Sequence, residues 1–137
     1  MNYLLDTNIL IYLYVGQYNL LSNKQESVLA DKNNIFFVSE ASFFEMAIKS
    51  RLEKNSFSNI DIVEVEKFVQ IQGIKLLKSK KEYYLNIVHV PKVLISANKL
   101  HADPFDLLII SQALTEKMSI LSTDRYFPEY EGLEVVS

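Results

Sequence analysis

Four acidic residues stand where strands should end or helices begin, and a fifth lies inside an apolar stretch. Asp6 closes the apolar run Tyr3-Leu4-Leu5, and Asp124 closes Ser119-Ile120-Leu121-Ser122-Thr123. Asp103 and Asp106 open a helical segment in His101-Ala102-Asp103-Pro104-Phe105-Asp106. Glu45 lies between Phe43-Phe44 and Met46-Ala47-Ile48. Carboxylates brought together repel one another, so a cluster of them destabilises a fold unless a cation neutralises it. If these acids converge, they form an all-oxygen site for a hard divalent metal, and such a site points to phosphate chemistry.

Each acid also has a structural role open to it. Asp6 can cap a helix starting near Ile9. Asp103 can cap the later helix, with Pro104 at its first position. Asp106 suits the first turn, where the helix dipole favours negative charge. Asp124 can be a turn residue, and Glu45 can sit at the edge of an apolar stripe of Ala41, Phe44, Ile48 and Leu52. Only their joint placement argues for a site. His101 is a candidate phosphate contact or a structural histidine. Ser39, Ser42, Ser122 and Thr123 are caps, buried hydroxyls or ligands for water or metal.

Composition removes several alternatives. There is no Cys, which excludes disulfides, thiolate metal sites and Cys nucleophiles and fits a reducing cytoplasm. Two histidines, His89 and His101, are too few for a multi-histidine zinc site. A net charge of −3 argues against nucleic-acid binding by charge alone, so such binding would need local basic patches or metal ions. Lys49-Ser50-Arg51 with Lys54, and Lys75, Lys78, Lys80 and Lys81, are the patches available, and they read first as solvated faces. The apolar start through Gly16 has no basic segment and is interrupted by Asp6 and Asn8, unlike a signal peptide. No apolar stretch approaches the ~20 residues of a membrane helix, and no P-loop, GxGxxG, GxSxG or HExxH pattern occurs.

The elements that must position the acids alternate. Strands are expected at Tyr3–Leu5, Ile35–Val38, Ile74–Leu77, Ser119–Thr123 and Leu133–Val136. Helices are expected at Ile9–Tyr14, Ser22–Asp31, Ser39–Leu52, Ile62–Gln70, Ser79–His89, Val93–Leu100 and Pro104–Lys117. With no repeat or linker, residues 1–137 read as a single domain of α/β class with a mostly parallel sheet of about five strands, covered by helices on both faces. Ligands bind such sheets beyond the carboxyl ends of the strands. Asp6 and Asp124, each one residue past an expected strand, would meet there.

The residues match a family pattern. The chain resembles the PIN-domain ribonucleases, and within them the VapC-like toxins of type II toxin–antitoxin systems. Tyr3 to Leu10 looks like the family's opening strand–Asp–Thr–Asn, Ser39 to Lys49 its segment bearing a Glu, and Ile120 to Asp124 its closing strand–Thr/Ser–x–Asp. His101 to Ala113, HADPFDLLIISQA, is similar to the subgroup motif HxDPFDRxLIAQA. The resemblance implies a three-layer α/β/α fold with Asp6, Glu45, Asp106 and Asp124 as catalytic acids, and Asp103, Ser122 and Asn8 as accessory residues. It implies Mg²⁺ or Mn²⁺ held by Asp6, Asp106 and Asp124, with Glu45 positioning a water or a second ion. The activity implied is endonucleolytic cleavage of RNA to 5′-phosphate and 3′-hydroxyl ends, restrained by a small antitoxin protein, and the protein would be a homodimer. Two departures stand out: Leu107 replaces the subgroup Arg, and Phe44 stands where Trp is common. Two other readings accompany this one: a binding module whose cleft an antitoxin fills, and a nuclease or phosphatase of the same fold acting on DNA or small phosphates.

Overall fold

The apolar run before Asp6 forms strand β1 (Asn2–Leu5), and its side chains alternate between two cores. Tyr3 and Leu5 face one core with Ile9, Leu21, Leu121 and Val136, whereas Leu4 faces the other with Ile109, Ile110, Ala113 and Ile120. Leu4, Leu5, Ile109, Ile110, Ile120 and Leu121 are fully buried, and each contributes on the order of 2 kcal/mol.

The computed structural model describes residues 1–53, 57 and 59–137. Lys54, assigned above to a basic patch, lies outside the described residues. After β1 come α1 (Thr7–Val15), α2 (Asn23–Ala30), β2 (Ile35–Ser39), α3 (Glu40–Arg51), α4 (Ile62–Ile71), β3 (Lys75–Leu77) and α5 (Lys81–Asn86). The chain continues through β4 (Leu94–Ser96), β5 (Lys99–Leu100), α6 (Pro104–Glu116), β6 (Ser119–Leu121) and β7 (Val135–Val136). Five strands form a sheet in the order β3-β2-β1-β6-β7, with every neighbouring pair parallel. Helices on both faces complete a three-layer α/β/α domain, with α1 and α2 against Tyr3 and Leu5, and α5 and α6 against Leu4. Among the described residues, no helix is long and apolar enough to cross a membrane.

Strand order reverses around β1: β2 and β3 lie on one side, β6 and β7 on the other. The crevice expected at such a switch point opens beyond the carboxyl ends of β1 and β6. A buried amide holds that end together. Gln25, in the first turn of α2, donates to Ser122 O (3.1 Å) and Val136 O (3.0 Å) and closes a capping box with Ser22.

Three expectations need correction. Residues 93–100 are not helical: Leu94–Ser96 and Lys99–Leu100 pair as an antiparallel hairpin around Ala97-Asn98. The β-branched Val93 and Ile95 beside an Asn-containing turn outweigh the helix-like spacing of apolar residues. Strand β6 ends at Leu121, so Asp124 lies three residues past it, on a turn. The buried face of α3 carries Ala41, Ser42, Glu45 and Met46, while Phe44 (61%), Ile48 (39%) and Leu52 (55%) are exposed. The helix turns two polar groups inward toward the crevice, which leaves its apolar stripe outside.

Candidate functional site

Asp6 is fixed by hydrogen bonds at both its backbone and its side chain. Its N–H donates to Leu121 O (2.9 Å), extending the β1–β6 ladder by one residue. Its backbone is extended, so it caps α1, and its Oδ1 accepts from Thr7 N (2.8 Å). Oδ2 accepts from Ser122 Oγ (2.7 Å), and Ser122 Oγ in turn accepts from Asp124 N (3.0 Å). Ser122 is fully buried and joins the two acids at the ends of β1 and β6. Asp124 Oδ1 accepts from Tyr126 N (2.7 Å), which sets the turn that carries it. Behind Asp6, Thr7 Oγ1 donates to Ser42 Oγ (2.9 Å) and ties α1 to α3.

The helix α6 delivers the next pair. Asp103 is its N-cap, accepting from Phe105 N and Asp106 N (both 3.0 Å), with Pro104 in the first turn. This aims Asp106 into the crevice, where its Oδ2 meets His101 Nε2 at 3.2 Å. His101 Nδ1 contacts Tyr130 OH (2.7 Å), and its ring stacks on Tyr126 at 5.3 Å. Across from them Glu45 is buried on α3, with Oε2 taken by the ammonium of Lys49 and Oε1 without a hydrogen-bond partner.

These acids feel one another. Burial, then the charges of Asp103, Asp6, Asp124 and Glu45, push the Asp106 carboxyl up to about 8. Burial raises Asp6 to about 6; hydrogen bonds from Ser122 and the Thr7 N–H pull it down, and Glu45 and Asp124 add to the rise. Burial, then the charges of Asp106 and Asp124, push the Tyr130 hydroxyl up to about 12. Burial pulls the Lys49 ammonium down, but Glu45, Asp103 and Asp106 together outweigh it and raise its pKa.

The sequence pointed to Asp6, Glu45, Asp103, Asp106 and Asp124, and the structure brings all five into this electrostatic neighbourhood. Ser122 lies between Asp6 and Asp124, whereas Asn8 is exposed on the first turn of α1. Ser39 caps α3 through Ala41 N, and Thr123 is exposed. Leu107 packs against the core instead of presenting a charge. Among the described residues, the group of three whose ligand atoms lie within 4.8 Å of one another is His101, Asp106 and Asp124. Asp6 stands outside that tight group. The donors still suit a hard divalent cation: they are mostly carboxylate oxygens, two carboxyls are held above their normal pKa, and one buried Glu45 oxygen lacks a partner.

Sequence reasoning missed Lys49 as a member of this cluster, although its four-residue spacing from Glu45 is a helix-pair signal. It also missed Gln25, Tyr126 and Tyr130, whose partners lie far away in the sequence and left no local sign.

The chain belongs to the PIN domain family, whose model matches residues 3–133. No curated protein matches it. Among solved structures it is similar to a VapBC2 complex of Rickettsia felis, bound to a DNA fragment from its promoter, with TM-score 0.67 and 20% identity over 99% of this chain and 98% of that one. It is similar to VapBC-1 of nontypeable Haemophilus influenzae, with TM-score 0.67 and 20% identity over 100% and 98% of the two chains. A domain of a functionally unknown protein from Methanocaldococcus jannaschii matches at TM-score 0.58 and 14% identity, over 98% and 89% of the two chains. At these identities the similarity shows the fold.

Proposed function

We propose that this chain is a VapC-like endoribonuclease toxin of the HxDPFD subgroup, dependent on Mg²⁺ or Mn²⁺, and restrained by a small antitoxin protein. The observation that carries the proposal is Asp106, a carboxyl raised to about 8 by burial and four neighbouring acids at the switch point of a PIN fold. Such a site is built to exchange protons for a cation. Asp106 and Asp124 would hold the ion with Asp6, and His101 stands close enough to join or orient them. A divalent ion held there supplies positive charge that lowers the pKa of an attacking water and offsets charge on the phosphate oxygens. The chain's own residues do the rest. Ser122 and the Thr7 N–H fix the Asp6 carboxylate, and Asp103 fixes the start of α6 and thereby Asp106. Glu45, with its partnerless oxygen, positions a water or a second ion.

The phosphodiester of RNA is the proposed substrate, and the whole chain acts as one PIN-like domain within a homodimer. The resemblance to VapC-like toxins and the VapBC complexes among the similar folds support this reading. The exposed Phe44, Ile48 and Leu52 on α3 favour a protein partner landing beside the acids, so the binding-module reading and the nuclease reading share one surface. The test is cleavage of a labelled RNA panel, beside DNA and small phosphates, in Mg²⁺, Mn²⁺ or EDTA. Asp6→Asn is expected to abolish metal-dependent RNA cleavage while leaving the circular dichroism spectrum unchanged. A folded Asp6→Asn protein that cuts RNA at the wild-type rate would refute the assignment.

A further inference from the structure

The acids of the site already have one positive charge among them. Lys49, one turn along α3 from Glu45, sets its ammonium on Glu45 Oε2 and lies 5.0 Å from the centroid of the Phe57 ring. An exposed pair at this spacing contributes only a few tenths of a kcal/mol and is readily broken by water. This pair differs in two ways. The Glu45 side chain is 7% exposed and that of Lys49 30%, so both are set into the surface. The other Glu45 oxygen has no hydrogen-bond partner, which leaves Lys49 as the group that compensates this buried carboxylate. Lys49 is also close enough to Asp103 and Asp106 to respond to their charges. Among the described residues, no other lysine or arginine forms an ion pair with any of the five acids.

From this placement we infer that Lys49 is the site's resident counter-cation, holding Glu45 until a divalent ion displaces it. The inference rests on the metal-site reading above and adds a positioning residue to it. Ammonium and metal compete for one carboxylate, and they repel each other as well. The site therefore binds its metal more weakly than its carboxylates alone would allow. Removing the ammonium leaves every carboxylate in place and strengthens the hold on the ion. A lysine that only stabilises α3 would change the melting temperature without moving metal affinity in that direction.

The experiment is Mn²⁺ titration by calorimetry into EDTA-stripped, dialysed protein, for wild type, Lys49→Met, Lys49→Gln, Lys49→Arg and Asp106→Asn. Thermal melts without metal establish that each variant is folded, and Lys49→Gln stands in if Lys49→Met is not. Lys49→Met and Lys49→Gln are expected to bind Mn²⁺ about ten-fold more tightly, the scale of one unit charge a few ångströms away in a partly solvated site. Lys49→Arg keeps the charge and is expected to bind like wild type. The gain should shrink when Lys49→Met is made in a Glu45→Gln background, because the competition for Glu45 is then lost and only direct repulsion remains. Wild-type affinity, or weaker, in folded Lys49→Met and Lys49→Gln overturns the inference while the metal site stands. No Mn²⁺ binding by wild type overturns the metal reading itself and this inference with it.

Discussion

Asp106 makes the metal-free protein less stable as pH rises from acid through neutral. Folded, it keeps its proton up to about pH 8. Unfolded, it gives the proton up near pH 4. Between those values the folded state binds the extra proton, so stability is greatest at the acid end and falls as pH rises through the folded pKa. The slope approaches about 1.4 kcal/mol per pH unit for one such group. From pH 6 to 7.5 the loss is about 2 kcal/mol, once partial ionisation near pH 8 is included. For a domain of this size that lowers the melting temperature by roughly 6–8 °C. Asp6, held near 6, is half protonated at pH 6 and adds only about 0.4 kcal/mol to the fall, most of it below about pH 6.5. The assay is differential scanning fluorimetry at pH 6, 6.5, 7 and 7.5, in EDTA and in saturating Mg²⁺. Three outcomes are expected: a fall in EDTA, no fall in Mg²⁺, and a much shallower fall in EDTA for Asp106→Asn. An EDTA curve that stays flat or rises in wild type would refute the reasoning, as would an equal fall in Asp106→Asn.

Ser122→Ala removes a hydrogen bond that lowers the Asp6 pKa, so the Asp6 carboxyl should rise further. ¹³C-detected NMR titration of metal-free protein checks this, and the variant should also lose about 1–3 kcal/mol because Asp124 N loses its acceptor. Lys117 caps α6 in the left-handed region at φ 56°, where glycine carries no side-chain penalty. Lys117→Gly is therefore expected to stabilise the protein by about 1 kcal/mol in urea denaturation, with RNA cleavage unchanged.

What the sequence disclosed was local. The run Tyr3-Leu4-Leu5 bounded by Asp6, and the Asp103-Pro104 helix start, carry their structure in adjacent residues, and both appear where expected. The alternation of strands and helices was enough for the parallel sheet. The hairpin at residues 94–100 was hidden because Val93, Ala97 and Leu100 also fit a helical stripe, and the choice depends on the Ala97-Asn98 turn. The inward face of α3 does not follow its apolar stripe, because Ser42, bonded to Thr7, and Glu45, paired with Lys49, are buried there instead. The acids and Ser122 could be named in advance, but the other groups that steady the site could not. Gln25 and Tyr130 act across separations of 97 and 29 residues, which no local pattern records.

The order of the strands also bears on synthesis. Strand β1 lies at the centre of the sheet, and its partner β6 is more than a hundred residues further along the chain. During translation the first part of the chain can pair β1 with β2 and β2 with β3, but one side of β1 stays open until Ser119–Leu121 emerges. Asp124 arrives only after that, and Asp106 has no settled place until α6 packs on the sheet. Closing so long a loop comes late and slowly. A ribosome still making this protein therefore carries a chain without its full set of acids, and the acidic cluster stays incomplete until β6 docks.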